Sequence, residues 1–131
     1  WFEPLLPTIV MQIVFNEISS AELSQLATPV QFQLIEALNI QPVDLEGDTL
    51  ATRYGVLERK ETKLYRCRAG DYRIYFAVEG GNVRVHRVLH KNSLADFLFR
   101  SNLPVSEDEQ LAKSKNFWKL IEEGASTLRV Y

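Results

Sequence analysis

Apolar and polar residues alternate most regularly between Tyr65 and Leu89, and this alternation predicts three consecutive antiparallel strands. Ala69-Gly70-Asp71 forms the expected turn after the first strand, and Gly80-Gly81 separates the second strand from the third. Apolar side chains recur at every second position and basic side chains fall between them, although strict alternation groups Arg87 with the apolar residues of the third strand. We expect the apolar face of this meander to pack on helices and the arginines to lie together on an exposed face.

A strand and two helices are predicted before the meander, and residues 54–57 are a further candidate strand. Residues 12–16 alternate as a strand, and Ser19 with Glu22 forms a capping-box pattern that begins a helix reaching Ala27. Thr28-Pro29 begins a second helix, because proline is favoured in the first turn, and this helix reaches about residue 39. The two helices form an αα-hairpin, which we expect to cover the apolar face of the sheet.

Helical patterns also follow the meander. Residues 93–100 predict a short helix that Pro104 ends. Ser106 and Glu109 form another capping-box pattern, and three acidic residues occupy the first turn, where the helix dipole favours them. A C-terminal helix is therefore predicted at about residues 106–123, with Gly124 as its C′ residue.

Length and composition predict one soluble globular domain. The chain has 131 residues, of which 46% are hydrophobic and 24% charged. Residues 11–131 are predicted to form the domain, and residues 1–10, WFEPLLPTIV, are either a flexible leader or extension or an apolar peptide that docks in a groove. No apolar run is long enough for a membrane span, and the single Cys67 excludes an intramolecular disulfide. These features favour a cytoplasmic protein with no membrane partner.

Charge is distributed unevenly along the chain. The formal net charge is −2, but the stretch from Arg59 to Lys91 contains nine basic and three acidic residues and carries +6. The rest of the chain therefore carries −8. A basic sheet in an acidic protein predicts one face for an anionic partner, unless these residues are simply the solvent side of the sheet.

The sequence contains none of the common metal, phosphate or nucleophile motifs. CxxC, HExxH, GxGxxG, GxSxG and the P-loop are all missing. His86 and His90 are four residues apart, but they lie in a predicted strand and do not share a helix face. We therefore predict no metal site and no small-molecule cofactor.

The stretch YRCRAGDYRIYFAVEGGNVRVHRVLHKNSLADF resembles the core of the RelE/ParE-like toxin superfamily. In that family a YRxRxGdYRiiY strand pair is followed by a vyVlrvgHRkdvY strand and tail. The resemblance covers roughly Met11 to Arg100. It implies an α+β fold in which an N-terminal strand and an αα-hairpin pack on an antiparallel β-meander, here with an extra C-terminal helix.

The resemblance also implies which residues would act on RNA. Arg66 and Arg68 match the family's basic strand residues, Arg73 matches the arginine of its YR motif, and His90 with Lys91 matches its HR pair. In active ribosome-dependent RNases of the family, basic side chains hold phosphates while a 2′-hydroxyl attacks, and a residue near the last strand transfers protons. The implied catalytic residues are His90, Lys91 and Arg73; the implied RNA- or partner-binding residues are Arg66, Arg68, Arg73, Arg84 and Lys91.

Three residues depart from the family pattern. Phe97 occupies the place of the terminal tyrosine and has no hydroxyl, Leu64 stands where some members carry a catalytic lysine, and Leu89 replaces a glycine. The overall acidity is also unusual for a protein that enters the ribosome. These departures suggest a degenerate active site.

Three interpretations follow from the resemblance. In the first, the protein is a non-catalytic RelE-like regulator of RNA metabolism that binds a protein partner, such as an RNA-processing protein, or RNA or the ribosome. In the second, it is an active mRNA interferase, an endoribonuclease of a toxin–antitoxin system that an antitoxin keeps silent, with His90 as acid or base. The third, poisoning of a topoisomerase as in the ParE branch, has only the shared fold behind it.

Overall fold

The computed structural model describes residues 11–45, 54–60, 62–97 and 106–126. Within these residues the fold is α+β, with a five-stranded mixed sheet and four α-helices. The strands are β1 Gln12–Phe15, β2 Tyr54–Arg59, β3 Thr62–Ala69, β4 Tyr72–Glu79 and β5 Asn82–His90. The α-helices are α1 Glu17–Ser24, α2 Thr28–Ala37, α3 Glu107–Ala112 and α4 Lys115–Ser126, and Pro42–Leu45 and Lys91–Phe97 are 3₁₀-helices.

The sheet is a four-stranded meander to which the first strand adds an edge. The strand order is β1-β5-β4-β3-β2; β1 is parallel to β5, and the other pairs are antiparallel. The candidate strand at residues 54–57 is present as β2, which pairs with β3 from Tyr54 to Arg59 and adds a fourth strand to the meander. Both predicted turns are present. Gly70, Gly80 and Gly81 have positive φ angles there, which glycine adopts without steric cost.

One face of the sheet packs on the helical hairpin, as the alternation predicted. We call it the hairpin face. Its core joins apolar residues of β3, β4 and β5 to Met11, Leu34 and Leu38. The helical stripe is narrower than expected, because Phe32 and Ile35 of α2 are exposed. The sheet residues of this core include Cys67, Ala69, Ile74, Phe76, Val83, Val85 and Val88.

The opposite face, which we call the arginine face, was expected to be exposed, and this prediction is wrong. The C-terminal helices α3 and α4 cover it and form a second core with the sheet. Leu64, at the place of a lysine in some RelE-like proteins, is 1% exposed in this core. Both helices stay on this face because their packing removes large apolar side chains of the helices and of the sheet from water. The core contains Leu57, Leu64, Tyr75, Leu89, Leu94, Leu111, Phe117, Trp118 and Ile121.

A β-bulge explains the exceptional position of Arg87. Tyr75 pairs with Arg87 and Phe76 pairs with Val85, so β5 has one extra residue, His86, at this point. The extra residue shifts the alternation, and Arg87 lies on the arginine face while Val85 stays on the hairpin face. Strict alternation had placed Arg87 with the apolar residues, and this assignment is wrong.

The helix boundaries also differ from the predicted ones. Asn16, and not Ser19, is the N-cap of α1, since its side-chain oxygen accepts a hydrogen bond from the Ser19 N–H at 2.7 Å. The predicted C-terminal helix at about 106–123 is two helices, α3 and α4, separated at Lys113 and Ser114. Gly124 lies inside α4 and not at a C′ position, because α4 continues to Ser126.

Two other predictions fall wholly or partly outside the described residues. The leader at residues 1–10 lies outside them, as does the end of the helix predicted at 93–100. The described part of that segment is the 3₁₀-helix that ends at Phe97. Among the described helices, none combines the length and apolarity that crossing a bilayer requires.

Candidate anion site on the arginine face

Three strands contribute one row of side chains across the arginine face. Arg66 of β3 pairs with Tyr75 of β4, and Tyr75 pairs in turn with Arg87 of β5. Residues directly opposite one another in antiparallel strands lie on the same face. Arg73 is two residues before Tyr75 on β4 and therefore shares that face. The strand register thus gathers three arginines around one tyrosine.

Arg66 is held by Asp108, the second residue of α3. Its Nε donates to the Asp108 oxygens at 3.0 and 3.2 Å, and its Nη2 donates to Oδ2 at 3.0 Å. Only 11% of the Arg66 side chain and 19% of the Asp108 side chain are exposed. Gly55 of β2 makes this approach possible, since a Cβ there would collide with both side chains.

Arg73 is held by Glu107, the first residue of α3. Its Nε lies 3.3 Å from Glu107 Oε1, and 11% of the arginine side chain is exposed. Ser106 caps this helix by accepting the Glu109 N–H at 3.2 Å. The acidic first turn that the helix dipole favours is therefore also the turn that neutralises two arginines of the sheet.

Arg87 has a different partner, on the helical hairpin. Its Nε and Nη2 donate to the carboxylate of Glu22 in α1 at 2.8 to 3.1 Å, and Nη1 donates to the Leu120 carbonyl of α4 at 3.2 Å. Glu22 also accepts the Val88 N–H at 3.0 Å. These contacts connect α1 and α4 to the part of β5 that lies past its pairing with β1. We therefore assign Arg87 a structural role.

The Tyr75 hydroxyl is the most unusual group on this face. The residue is 0% exposed, its ring packs edge-on against Phe117, and its hydroxyl has no hydrogen-bond partner among the described residues. Burial raises the pKa of this phenol far above its ordinary value, and Glu107 and Asp108 raise it further. Arg66 and Arg73 act in the opposite direction. A neutral, unpartnered hydroxyl therefore lies within the electrostatic field of both ion pairs.

The structure separates the implied catalytic residues. Arg73 pairs with Leu89 on the arginine face, whereas His90 pairs with Tyr72, which packs in the hairpin-face core. His90 contacts the Tyr72 ring edge-on, and its Nδ1 accepts the Asn92 N–H at 3.1 Å. His90 and Arg73 thus lie on opposite faces of the sheet and do not form one site in this conformation.

The other implied binding residues lie near the protein surface. Lys91 forms a solvent-exposed ion pair with Asp71 at 3.2 Å, and Arg84 pairs with Glu79. Arg68 is exposed and lies directly across from Arg73. Of the five, Arg66, Arg68 and Arg73 are brought together, while Arg84 and Lys91 lie at opposite ends of β5 and its following turn.

A separate cleft lies between the middle of α4 and strands β2 to β5. Its volume is about 430 Å³, and its lining includes Lys63, His86, Trp118 and Glu122. Burial lowers the pKa of His86; Glu79 raises it and Arg84 lowers it to smaller extents. Among the residues described, no group of histidine, cysteine and carboxylate side chains could hold a metal ion.

Sequence reasoning found the arginines but not their partners. The sequence pattern explains Glu107 and Asp108 only as residues of a capped, acidic first turn, and Tyr75 only as a strand residue. The signal that could have found them is the run of three acidic residues in a chain whose sheet is basic. Searches with family models and among curated proteins gave no match to this chain.

Proposed function

We propose that this protein is a RelE-like regulator of RNA metabolism that acts by binding an anionic partner and not by cutting RNA. The observation that carries this proposal is the pairing of Arg66 with Asp108 and of Arg73 with Glu107. Two arginines that would hold phosphate in an active relative are neutralised by the protein's own carboxylates. A charge paired in this way contributes little to a long-range field for RNA, so an anionic partner has to replace the carboxylates before it can bind these arginines.

The position of the proton-transfer candidates supports the same proposal. His90 lies on the face opposite Arg73, so it is not placed to act on a phosphate held by the arginines. A general acid or base must come within hydrogen-bond reach of the reacting group, about 2.6–3.2 Å. Phe97 contributes no hydroxyl in place of the family's tyrosine. The arrangement therefore supports binding better than cleavage.

Expression in growing cells tests this proposal. We expect the wild-type protein to leave growth and bulk mRNA intact, because its arginines are covered. The comparison protein is His90→Ala/Arg73→Ala, which lacks both a proton-transfer candidate and a phosphate ligand. Growth arrest with mRNA loss in the wild type, cured in the double variant, would overturn the binding proposal and establish an active mRNA interferase.

One observation favours the interferase as a second candidate. Arg66, Arg73 and the Tyr75 hydroxyl lie on one face, so a conformation without α3 in place would present two cations and a hydroxyl together. Glu107→Gln/Asp108→Asn weakens the hold of α3. Toxicity of this variant, with a harmless wild type, would favour an interferase that is silent until opened.

A further inference from the structure

The contacts between α3 and the sheet have the geometry of anion recognition. Arginine binds carboxylate and phosphate through the same paired N–H donors. Asp108 accepts three N–H···O contacts from Arg66 at 3.0 to 3.2 Å, and Glu107 accepts one from Arg73. The two carboxylates belong to consecutive residues and engage arginines on neighbouring strands. They therefore occupy positions in which two anionic groups of one ligand could be held.

The site under α3 contains a polar group that the closed conformation leaves unused. Tyr75 is fully buried, directly across from Arg66 and two residues after Arg73 on β4, and its hydroxyl has no hydrogen-bond partner among the described residues. Burying a hydroxyl without a partner is unfavourable, and such groups in folded proteins call for an explanation. A phosphate oxygen on this face would supply the acceptor that the phenol lacks.

The helix α3, which covers the two arginines, is short and is separated from α4. α3 has six residues, fewer than an isolated helix needs in water, so its position depends on its contacts. The break at Ser114, whose hydroxyl accepts the Phe117 N–H at 3.3 Å, begins a new helix. α4 is anchored independently by the buried Phe117 and Ile121 and by the close approach of Gly124 to the His86 carbonyl. α3 can therefore leave while α4 stays in place.

Two contacts oppose the detachment of α3 from the sheet. Leu111 is 0% exposed, and Trp118 Nε1 donates a hydrogen bond to the Ala112 carbonyl at 2.8 Å. Displacement of α3 must give up these contacts as well as both ion pairs. Only a ligand with several negative charges, placed to engage both arginines, compensates for this loss. A strand of phosphodiesters has that property, whereas a single small anion does not.

We propose that Arg66, Arg73 and Tyr75 form a concealed site for the phosphodiester backbone of single-stranded RNA, and that α3 is its built-in competitor. Glu107 and Asp108 occupy the positions of two phosphates in the closed protein. When RNA displaces α3, the arginines exchange carboxylate for phosphate and the Tyr75 hydroxyl donates to a phosphate oxygen. The inference deepens the proposed function and rests on its claim that the arginine face meets an anionic partner.

Fluorescence anisotropy with a labelled single-stranded RNA tests the competition. The test variant is Glu107→Gln/Asp108→Asn, which removes the two contacting charges and keeps the side-chain shapes. The matched control is Glu109→Gln/Glu122→Gln, which removes two exposed charges of the same helices that contact neither arginine. We expect the test variant to bind RNA about 10- to 100-fold more tightly than the wild type and the control to change by about threefold or less.

A third variant adds Tyr75→Phe to the test variant and measures the contribution of the hydroxyl. We expect it to lose about three- to tenfold of the gained affinity, as the loss of one hydrogen bond to a charged group predicts. Circular dichroism and a urea melt on each variant verify folding. If the double variant does not fold, Glu107→Gln and Asp108→Asn are measured singly, and each is expected to tighten binding.

Four outcomes would overturn the inference. Equal tightening in the test and control variants would show a general charge effect, and unchanged binding in the test variant would show that α3 does not compete. Full affinity after Tyr75→Phe would remove the hydroxyl from the site. Stronger binding of polyglutamate than of RNA to the test variant would assign the face to an acidic protein. Tightening as predicted, together with growth arrest and mRNA loss caused by the wild-type protein, would instead retain the site and reject the proposed function.

Discussion

The ion pair between Arg66 and Asp108 makes a quantitative prediction about stability. Asp108→Asn keeps the shape of the side chain but leaves Arg66, whose side chain is 11% exposed, without its counter-charge. Breaking a fully buried pair by removing one partner costs about 3–5 kcal/mol. Because 19% of the Asp108 side chain is exposed, some screening by water remains, and we expect a loss of about 2–3 kcal/mol in the free energy of unfolding.

A double-mutant cycle isolates the pair from the other effects of each substitution. Asp108→Asn, Arg66→Gln and the combination are compared with the wild type by urea denaturation at low salt. Arg84 and Glu79 provide the matched control, since their side chains are 29% and 59% exposed. We expect a coupling energy of about 1–2 kcal/mol for the covered pair, and about 0–0.5 kcal/mol for the control pair.

The cycle can also refute the reasoning. A coupling energy below about 0.3 kcal/mol for Arg66 and Asp108 would lie within the error of additivity. The two side chains would then not hold α3 on the sheet in solution. Equal coupling in the covered and control pairs would lead to the same conclusion, because burial would have made no difference.

Three further predictions concern single positions. Gly124→Ala should destabilise the fold by about 1–3 kcal/mol in a urea melt, because its Cβ would overlap the His86 carbonyl; a gain, as helix propensity alone predicts, would contradict the close packing. Because the pKa of His86 is lowered in the folded protein, the unfolded chain binds a proton more readily, and the free energy of unfolding should fall as pH drops below about 6.5. His86→Gln should flatten this part of the plot of stability against pH, and an unchanged slope in the variant would show that His86 is not the group responsible. Tyr75→Phe should be neutral or stabilise by up to about 1 kcal/mol, since it removes a buried hydroxyl that has no partner in the part of the chain that the structure describes. A loss above about 1 kcal/mol would reveal a hydrogen bond that supports the fold.

The local pattern of the sequence predicted the sheet well because that pattern is set by neighbours along the chain. Alternation between Tyr65 and Leu89 located β3, β4 and β5, and the glycine turns fixed their connections. Turn residues and period-two alternation act within a few residues, so they can be read from one sequence.

The errors come from contacts between distant residues. Asn16 replaced Ser19 as the N-cap because its amide also donates to the Val85 and His86 carbonyls at 3.2 and 3.0 Å, which lie some 70 residues away. The bulge at His86 changed the face on which Arg87 lies. Neither the hydrogen bonds of Asn16 nor the bulge has a signature in the local sequence.

The exposed arginine face was the most consequential error. Arginines at alternate positions of a strand normally indicate a solvated face, and the acids that pair with them follow more than 30 residues later. Alternation gives the face on which a side chain lies but not what covers that face. The candidate site was therefore half predicted: its cations were named, and its carboxylates and its tyrosine were not.

Hydrogen exchange along α3 tests most directly whether RNA and the acidic helix compete for one site. Amide exchange is followed at residues 107–112 and 117–124 with and without saturating single-stranded RNA. If the helix is displaced, the first segment should exchange faster when RNA is bound, while the second keeps its protection. RNA binding that leaves the amides of residues 107–112 as protected as before would show that the arginines under α3 are not the binding site.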